Sequence, residues 1–478
     1  MTSDKVKNLP LAFPRVRIGD VAEVFDGPHA TPTKIADGPV FLGISALNRG
    51  RLDLSNTEHL SEDEFVKWTR RVTPRAGDVV FSYETRIGEA AIIPQGLRCC
   101  LGRRMGLVRT DPSKLDPHFF LYQYLSPAFQ NFLVSRTIHG STVDRIALKE
   151  FPDFEIDLPP VGVQRQMAKV MLDIDAKIDL NRRINQTLEA MVQAIFKSWF
   201  IDFDPIKAKI SAKQEGRDPL RAAMSAISGK SDVELDALPA EQYEQLATTA
   251  ALFPNEMEES ELGPIPKGWS HKTLAQLTDK IGSGSTPRGG KEVYLEEGVA
   301  LIRSQNVYDS LFVWDGLARI SDEAATQLKG VTVQEDDVLL NITGASILRT
   351  CVVEPDALPA RVNQHVAIIR TKADIPPRFI HMHLLRPDIK SYLLGLNAGA
   401  SREAITKAHI ESLTLLIPCP ELLYAFQSAT TPLFRQVQCF AQQMRALGEL
   451  RDALLPKLLS GELSIIGALA LTQTAGNE

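Results

Sequence analysis

The sequence predicts an α+β chain: two pseudo-symmetric mixed α/β modules separated by two long antiparallel helices that form a coiled coil. Three features predict it. An apolar residue recurs at alternating intervals of four and three through Met167, Met171, Ile174, Ile178, Leu188, Val192, Ile195 and Trp199, broken only by Asn181 and Asn185. The same seam returns 259 residues later at Phe426, Leu433, Val437, Phe440, Met444, Leu447, Leu454 and Leu458, with Thr430 and the charged Arg451 as its polar stops. That offset also links Gly77-Asp78-Val79-Val80 with Asp336-Asp337-Val338-Leu339, and Leu158-Pro159-Pro160 with Ile417-Pro418-Cys419. A constant shift across strand-like, turn-like and helix-like stretches marks duplication of one long unit.

The elements follow in order. Residues 1–158 make the first module, after a short tether to residue 13. Short β-type runs (Pro39 to Leu42, Asp78 to Ser82, Glu89 to Ile93, Met105 to Val108) are bounded by Gly and Pro, as in a small mixed sheet. Asp116 to Phe132 reads as one amphipathic helix, and 138–143 as a polar loop. The first long spacer helix is assigned 159–204, entered through Pro159-Pro160, with its seam on 161–200. At about 1.5 Å per residue the stretch 161–200 extends roughly 55–60 Å, long enough to connect modules and hold them apart. Residues 205–262 read as an acidic linker with one or two short helices, at 220–227 and 240–250. The second module spans 263–418, with its helix at 377–394. The second long helix spans 419–463, and Pro432 and Pro456 predict that it is shorter than the first. A disordered tail, 464–478, follows.

Composition narrows the function. With 44% hydrophobic residues and no apolar run of bilayer length, the chain reads as soluble, without a membrane partner. MTSDKVKNLP lacks a signal-peptide core. Five cysteines without a C-x-x-C pair predict reduced thiols in a cytoplasm. The net charge of −6 disfavours a nucleic-acid partner until its distribution is considered. Residues 202–262 hold thirteen acidic against six basic residues, so both modules are close to neutral and their arginines are free to cluster.

Catalytic and metal motifs are missing. Gly282-Ser283-Gly284-Ser285-Thr286-Pro287 lacks the Lys-Ser/Thr of a phosphate loop, and there is no H-E-x-x-H or G-x-S-x-G. His381 and His383, two apart on a helix, fall on different faces and suit no shared metal. His139 beside Ser141 has no third partner with a recognisable place. The chain reads as a binder with no catalytic, cofactor or metal residues of its own. Loops of small hydroxyls and arginines suit phosphates and base edges. The candidates are His29, Thr31, Arg86, Arg98, Arg103, Arg104, Ser141 and Thr142 in the first module. In the second they are Ser285, Thr286, Arg288, Arg303, Arg349, Arg361, Ser401 and Arg402. Two other classes stand beside a DNA reader: a coiled-coil scaffold that binds only protein, and a duplicated enzyme with an unrecognised site.

Several stretches in this order resemble the specificity subunits of type I restriction–modification systems. They are Gly27-Pro28-His29-Ala30-Thr31-Pro32, Gly284-Ser285-Thr286-Pro287, Phe196-Lys197-Ser198-Trp199-Phe200-Ile201-Asp202-Phe203-Asp204-Pro205, Glu261-Leu262-Gly263-Pro264-Ile265-Pro266-Lys267-Gly268-Trp269 and Leu454-Leu455-Pro456-Lys457-Leu458-Leu459-Ser460-Gly461-Glu462-Leu463. One departure is that Gln164-Arg165-Gln166 at the first helix entry faces Leu423-Tyr424-Ala425 at the second. The resemblance implies two target-recognition domains, each reading half of a bipartite double-stranded DNA site, with the helices fixing the gap. It also implies two modification (methyltransferase) subunits and motor-nuclease restriction subunits as partners. S-adenosylmethionine, ATP and Mg are then expected on those partners, which would methylate adenine or cleave DNA, and none on this chain.

Overall fold

The computed structural model describes residues 13–28, 32–140, 143–396, 404–463 and 467–468. The chain divides into two compact units, one of residues 1–185 with 438–478 and the other of 186–437. Each long helix therefore contributes a part to each unit.

One strand plan occurs in both units. In the first, an antiparallel sheet runs Ala22–Asp26, Met105–Thr110, Val79–Ser82, Ala90–Ile92. In the second the order is Thr278–Ser283, Val366–Thr371, Val338–Asn341, Thr350–Val352. A second sheet carries a parallel pair, Ile35–Leu42 with Cys99–Leu101, matched by Val299–Ile302 with Ala360–Val362. The ends of each module are tied by Arg15–Arg17 with Glu155–Asp157, and by Ser270–Thr273 with Thr414–Ile417.

The central strands Val79–Ser82 and Val338–Asn341 are buried throughout because both faces are covered. Val79 and Phe81 enter the helix-side core while Val80 enters the opposite one. Val338 and Leu340 divide from Leu339 in the same way. Ahead of each strand sits a buried aspartate. Asp78 takes a two-pronged bond from Arg109 at 2.9 and 2.7 Å and caps the turn through Arg75 N at 2.8 Å. Asp337 does the same with Arg370, at 2.8 and 2.7 Å, and Gln334 N at 2.7 Å. Such forked, charge-assisted pairs satisfy a carboxylate that burial would otherwise penalise.

The helix expected at 116–132 is two helices, Pro117–Leu125 and Pro127–Ser135. Pro127 has no N–H to continue the first, and Ser126 starts the second by accepting from Phe129 N at 3.3 Å. The second module breaks likewise into Pro377–Leu385 and Pro387–Gly395, at Pro387.

The two long helices are Val161–Phe200 and Pro420–Leu459, both of 40 residues. The expectation of a shorter second helix is corrected. Pro432 and Pro456 are exposed, so the carbonyl that each leaves without a donor lies on the solvent side of the helix. Within the first unit the helices run antiparallel, since Asp175 meets Arg451 while Asn181 meets Gln443 at 3.2 Å. Met167, Met171, Ile174 and Ile178 are buried there with Leu447, Leu454 and Leu458, and Met444 is partly buried. In the second unit Val192 and Trp199 pack with Phe426, flanked by partly buried Ile195 and Leu433. Leu188 is buried; Val437 and Phe440 are half-exposed.

Arg451, the charged interruption of the seam, has a partner. Asp175 accepts from Arg451 Nη1 at 3.0 Å and from the Tyr122 hydroxyl at 2.6 Å. Arg51, from the hairpin Leu47–Leu52, reaches the Asp175 carbonyl and pairs with Asp179. Burial and this carboxylate together push the Tyr122 phenol up, keeping it a donor. At the helix entry, buried Gln164 takes a bond from Asp116 N at 2.8 Å and donates to Lys114 O at 2.9 Å and Pro159 O at 2.7 Å. Its counterpart Leu423 sits instead in an apolar core.

Residues 205–262 are more ordered than a polar linker. Four helices form, Asp204–Gln214, Pro219–Ser228, Asp232–Asp236 and Ala240–Ala251; the last three enclose Ala223, Met224, Leu235 and Ala250, and the first adds Ile206 to the unit's main core. Phe253 packs edge-on against Trp199 at 5.2 Å, and Met257–Ser260 pairs with Gly263–Pro266. Trp269 then lies against Phe200 and Phe203, at 6.0 and 5.6 Å. The aromatic run at the end of the first helix is thus part of this unit's core. The tail expected to be disordered lies almost entirely outside the described residues.

Two outcomes test this packing. Arg451→Ala should cost roughly 2 kcal/mol, since the half-buried Asp175 loses one of its charged partners. Asp175→Phe with Arg451→Val, copying the Phe434 and Val192 that stand 259 residues away, should lose less than the two single changes summed, read by thermal unfolding. Burial lifts the Glu189 carboxyl to about 7, against the opposing charge of Arg378. Its folded value lies above the unfolded one, so its contribution is fullest below about pH 4.3 and falls as pH rises to 7. Glu189→Gln should therefore unfold at a higher temperature than the parent at pH 8, with little difference at pH 5.

Candidate nucleic-acid interface

In each main sheet the strands alternate in direction, so three loops emerge at one end, and a further segment joins them. In the first module these are the loop after Asp26, the turn 102–104 and the loop 83–89, joined by residues 138–140 and 143–145. The backbone ties them together: Gly27 N donates to Met105 O at 2.9 Å, Tyr83 N to Arg104 O at 3.2 Å, and Thr85 N to Asp144 O at 3.2 Å. In the second module the corresponding pieces are the loop after Ser283, the turn 363–365, the loop 342–349 and the segment at Ala404. There Gly284 N donates to Asn363 O at 3.1 Å, Ile342 N to His365 O at 3.0 Å, and Thr343 bridges Ala404.

Gly27 and Gly284 explain the start of the two similar loops. A Cβ on Gly27 would stand 2.7 Å from Met105 O and 2.8 Å from Gly102 O. On Gly284 it would stand 1.8 Å from Val362 O. Only a residue without Cβ lets the loop lie this close to the turn.

The sheet end gathers candidates from several distant stretches. Arg103 is exposed at the tip of its turn and has no partner among the described residues. Arg104 has φ +71° and points back, with its guanidinium 3.0 Å from Glu84 Oε2 and donating to Thr85 Oγ1 at 3.1 Å. Arg86 is held by Ile44 O at 3.0 Å and Glu89 Oε1 at 3.2 Å, which fixes the loop. In the second module Ser285, Thr286 and Arg288 are exposed on the loop after Ser283, and Arg288 has no partner among the described residues. Arg349 stacks over Tyr308 at 4.3 Å. His29, Thr31, Ser141, Thr142, Ser401 and Arg402 lie outside the described residues. Three other arginines are engaged locally. Arg98 is paired with Glu62 at 3.0 and 2.8 Å, Arg303 is bonded to Gly316 O, and Arg361 to Ala325 O.

Sequence reasoning missed two groups here. Lys67, Arg70 and Arg71 line a hollow with Asp26, Gly27 and Pro28, placing more positive charge beside the first loop. In the second module Gln364 Oε1 accepts from Thr286 Oγ1 at 2.9 Å, Gln364 Nε2 meets His365 Nε2 at 3.1 Å, and His365 Nδ1 meets Thr343 Oγ1 at 2.5 Å. Aligning the strands rather than adding a fixed number would have found Gln364, which occupies the place of Arg103.

The two histidines of the second module's helix are structural. His381 and His383 are buried, and burial pushes their imidazoles down to about 4 and about 3, leaving both uncharged. His383 packs edge-on against Phe196 at 4.8 Å. Among the described residues no His, Cys, Asp and Glu side chains gather as metal ligands, and no helix is long and apolar enough to cross a membrane.

Residues 12–190 match the family described as type I restriction modification DNA specificity domain. The chain is similar to the HindI specificity subunit of a type I restriction enzyme from Haemophilus influenzae, 29% identical over 366 residues, covering 73% of this chain and 78% of that one. It is also similar to the MjaIX specificity subunit from Methanocaldococcus jannaschii, 24% identical over 469 residues, covering 96% and 95%. Its fold is like that of the type I restriction–modification S subunit of M. genitalium, with TM-score 0.51 at 13% identity, over 95% and 97% of the two chains.

The close approach at Gly284 gives a direct test. Gly284→Ala should destabilise the chain by about 1–3 kcal/mol, because the obstructing atom is backbone and cannot rotate away. Ser285→Ala, next to it and exposed, should leave the melting temperature unchanged.

Proposed function

We propose that the chain is a specificity subunit of a type I restriction–modification system and that each module reads one half of a bipartite DNA target through the loops at its sheet end. One observation carries this reading. The same sheet end recurs in both units, where the bond from Tyr83 N to Arg104 O is matched by that from Ile342 N to His365 O, and the bridge of Glu84 with Arg145 by that of Thr343 with Ala404, while the side chains it presents differ. A conserved scaffold with divergent tips suits two readers of unlike sequences. A scaffold that binds only protein gives no reason for that pattern. Small hydroxyls and backbone N–H groups supply phosphate contacts, and the exposed Arg and Gln side chains supply base-edge contacts.

The subunit is non-catalytic and acts within a restriction–modification assembly. We assign the chemistry to its partners: two modification subunits that methylate adenine with S-adenosylmethionine, and restriction subunits that use ATP and Mg. Residues 1–158 and 263–418 are the target-recognition domains in this reading. The helical segments 159–204 and 419–463 are the spacer whose length sets the gap.

The test is an exchange of residues 14–155 for those of a relative, followed by mapping of methylated adenines in a host that also makes the partner subunits. One half of the methylated motif should change and the other should stay. A motif altered in both halves would refute the assignment of one module to one half.

A further inference from the structure

The two modules place one tight turn at the same point of the sheet end. In the first it is Gly102-Arg103-Arg104, between Cys99–Leu101 and Met105–Thr110. In the second it is Asn363-Gln364-His365, between Ala360–Val362 and Val366–Thr371. The strand registers make Arg103 equivalent to Gln364 and Arg104 to His365.

The third residue of each turn is an anchor. Arg104 is turned onto Glu84 and Thr85; His365 is turned onto Thr343, which stands where Glu84 stands in the other copy. The tip residue differs in kind. Both tips are exposed, and neither contributes to a core.

We propose that this tip reads a base edge in each half-site: Arg103 a guanine in one and Gln364 an adenine in the other. The inference rests on the DNA-reading role of the sheet end. Its content comes from the matching of donors and acceptors in the major groove. A guanidinium presents two parallel donors, which fit the two acceptors O6 and N7 of guanine. A carboxamide presents one acceptor and one donor, which fit N6–H and N7 of adenine.

The surroundings of Gln364 fix which end of its amide is which. Thr286 donates to Oε1, and Nε2 lies against His365 Nε2. With Nε2 donating to that ring nitrogen, His365 Nδ1 carries the proton and donates to Thr343 Oγ1. One lone pair of Oε1 and one hydrogen of Nε2 stay available on the exposed side, the pair that an adenine edge requires. Thr286 is therefore a positioning residue for Gln364.

The experiment uses the full chain with its modification subunits, and reads the methylated motif genome-wide for Arg103→Ala, Gln364→Ala, Gln364→Arg and Thr286→Val. Arg103→Ala should relax one guanine in one half-site, and Gln364→Ala one adenine in the other, each losing roughly ten- to hundred-fold discrimination at that position. Gln364→Arg should move the preference at its position from adenine toward guanine. Thr286→Val should weaken discrimination at the same adenine and nowhere else. Unchanged motifs in Arg103→Ala and Gln364→Ala would overturn the proposal. So would a uniform loss of methylation with thermal unfolding unchanged, which would assign the tips to affinity rather than base choice. If the exchange of 14–155 alters one half while these variants alter nothing, the tip assignment fails and the modular reading stands. If the exchange also fails, the modular reading falls with it.

Discussion

The arrangement of the first unit depends on one carboxylate. Asp175 sits at a seam position's neighbour on the first long helix and is shared by Arg451 of the second long helix and Tyr122 of the module, while Arg51 reaches its backbone carbonyl. An apolar seam alone would tolerate sliding of one helix along the other by a heptad. A half-buried charge with three directional partners does not, because each partner approaches from a different element. Asn181 with Gln443 adds a second polar constraint at the middle of the seam. Stability comes from the buried Met, Ile and Leu side chains, and the choice of register comes from these few polar contacts.

Duplication has been followed by unequal drift. The forked aspartate–arginine pair ahead of the central strand is kept in both modules, down to the backbone N–H that each aspartate caps. The Asp175–Arg451 pair is not kept, since Phe434 and Val192 occupy the equivalent places. Gln164 is likewise matched by Leu423. Polar clamps serve the first unit where apolar packing serves the second. In the second unit the long helices pack into the aromatic cluster of Trp199, Phe200, Phe253, Trp269 and Phe426.

The long helices, the repeated module and the glycine loops were legible because each leaves a periodic or fixed-offset trace. What the sequence hid was exposure. Pro432 and Pro456 look like breaks unless it is known that they face solvent, and Pro127 and Pro387, which do break their helices, look no different in a string of letters. The linker read as polar because its four helices bury small residues, Ala223 and Ala250 among them, which carry little periodic signal. The loops at the sheet end stood out through Gly, Ser, Thr and Arg. Gln364 did not, because the offset between the copies widens from 259 at Asp78 to 261 at Met105, and a fixed shift pairs Arg103 with a buried valine instead.

The anchored turn has a consequence for how such a chain changes its target. In the first module its conformation is held by glycine clearance, backbone bonds and Arg104, none of which involves the side chain of Arg103, whereas in the second Gln364 is itself bonded to Thr286 and His365. Replacing the Arg103 side chain leaves the scaffold's stability nearly untouched. New target preferences thus lie one codon away from old ones, and selection can sample them without passing through a misfolded ancestor.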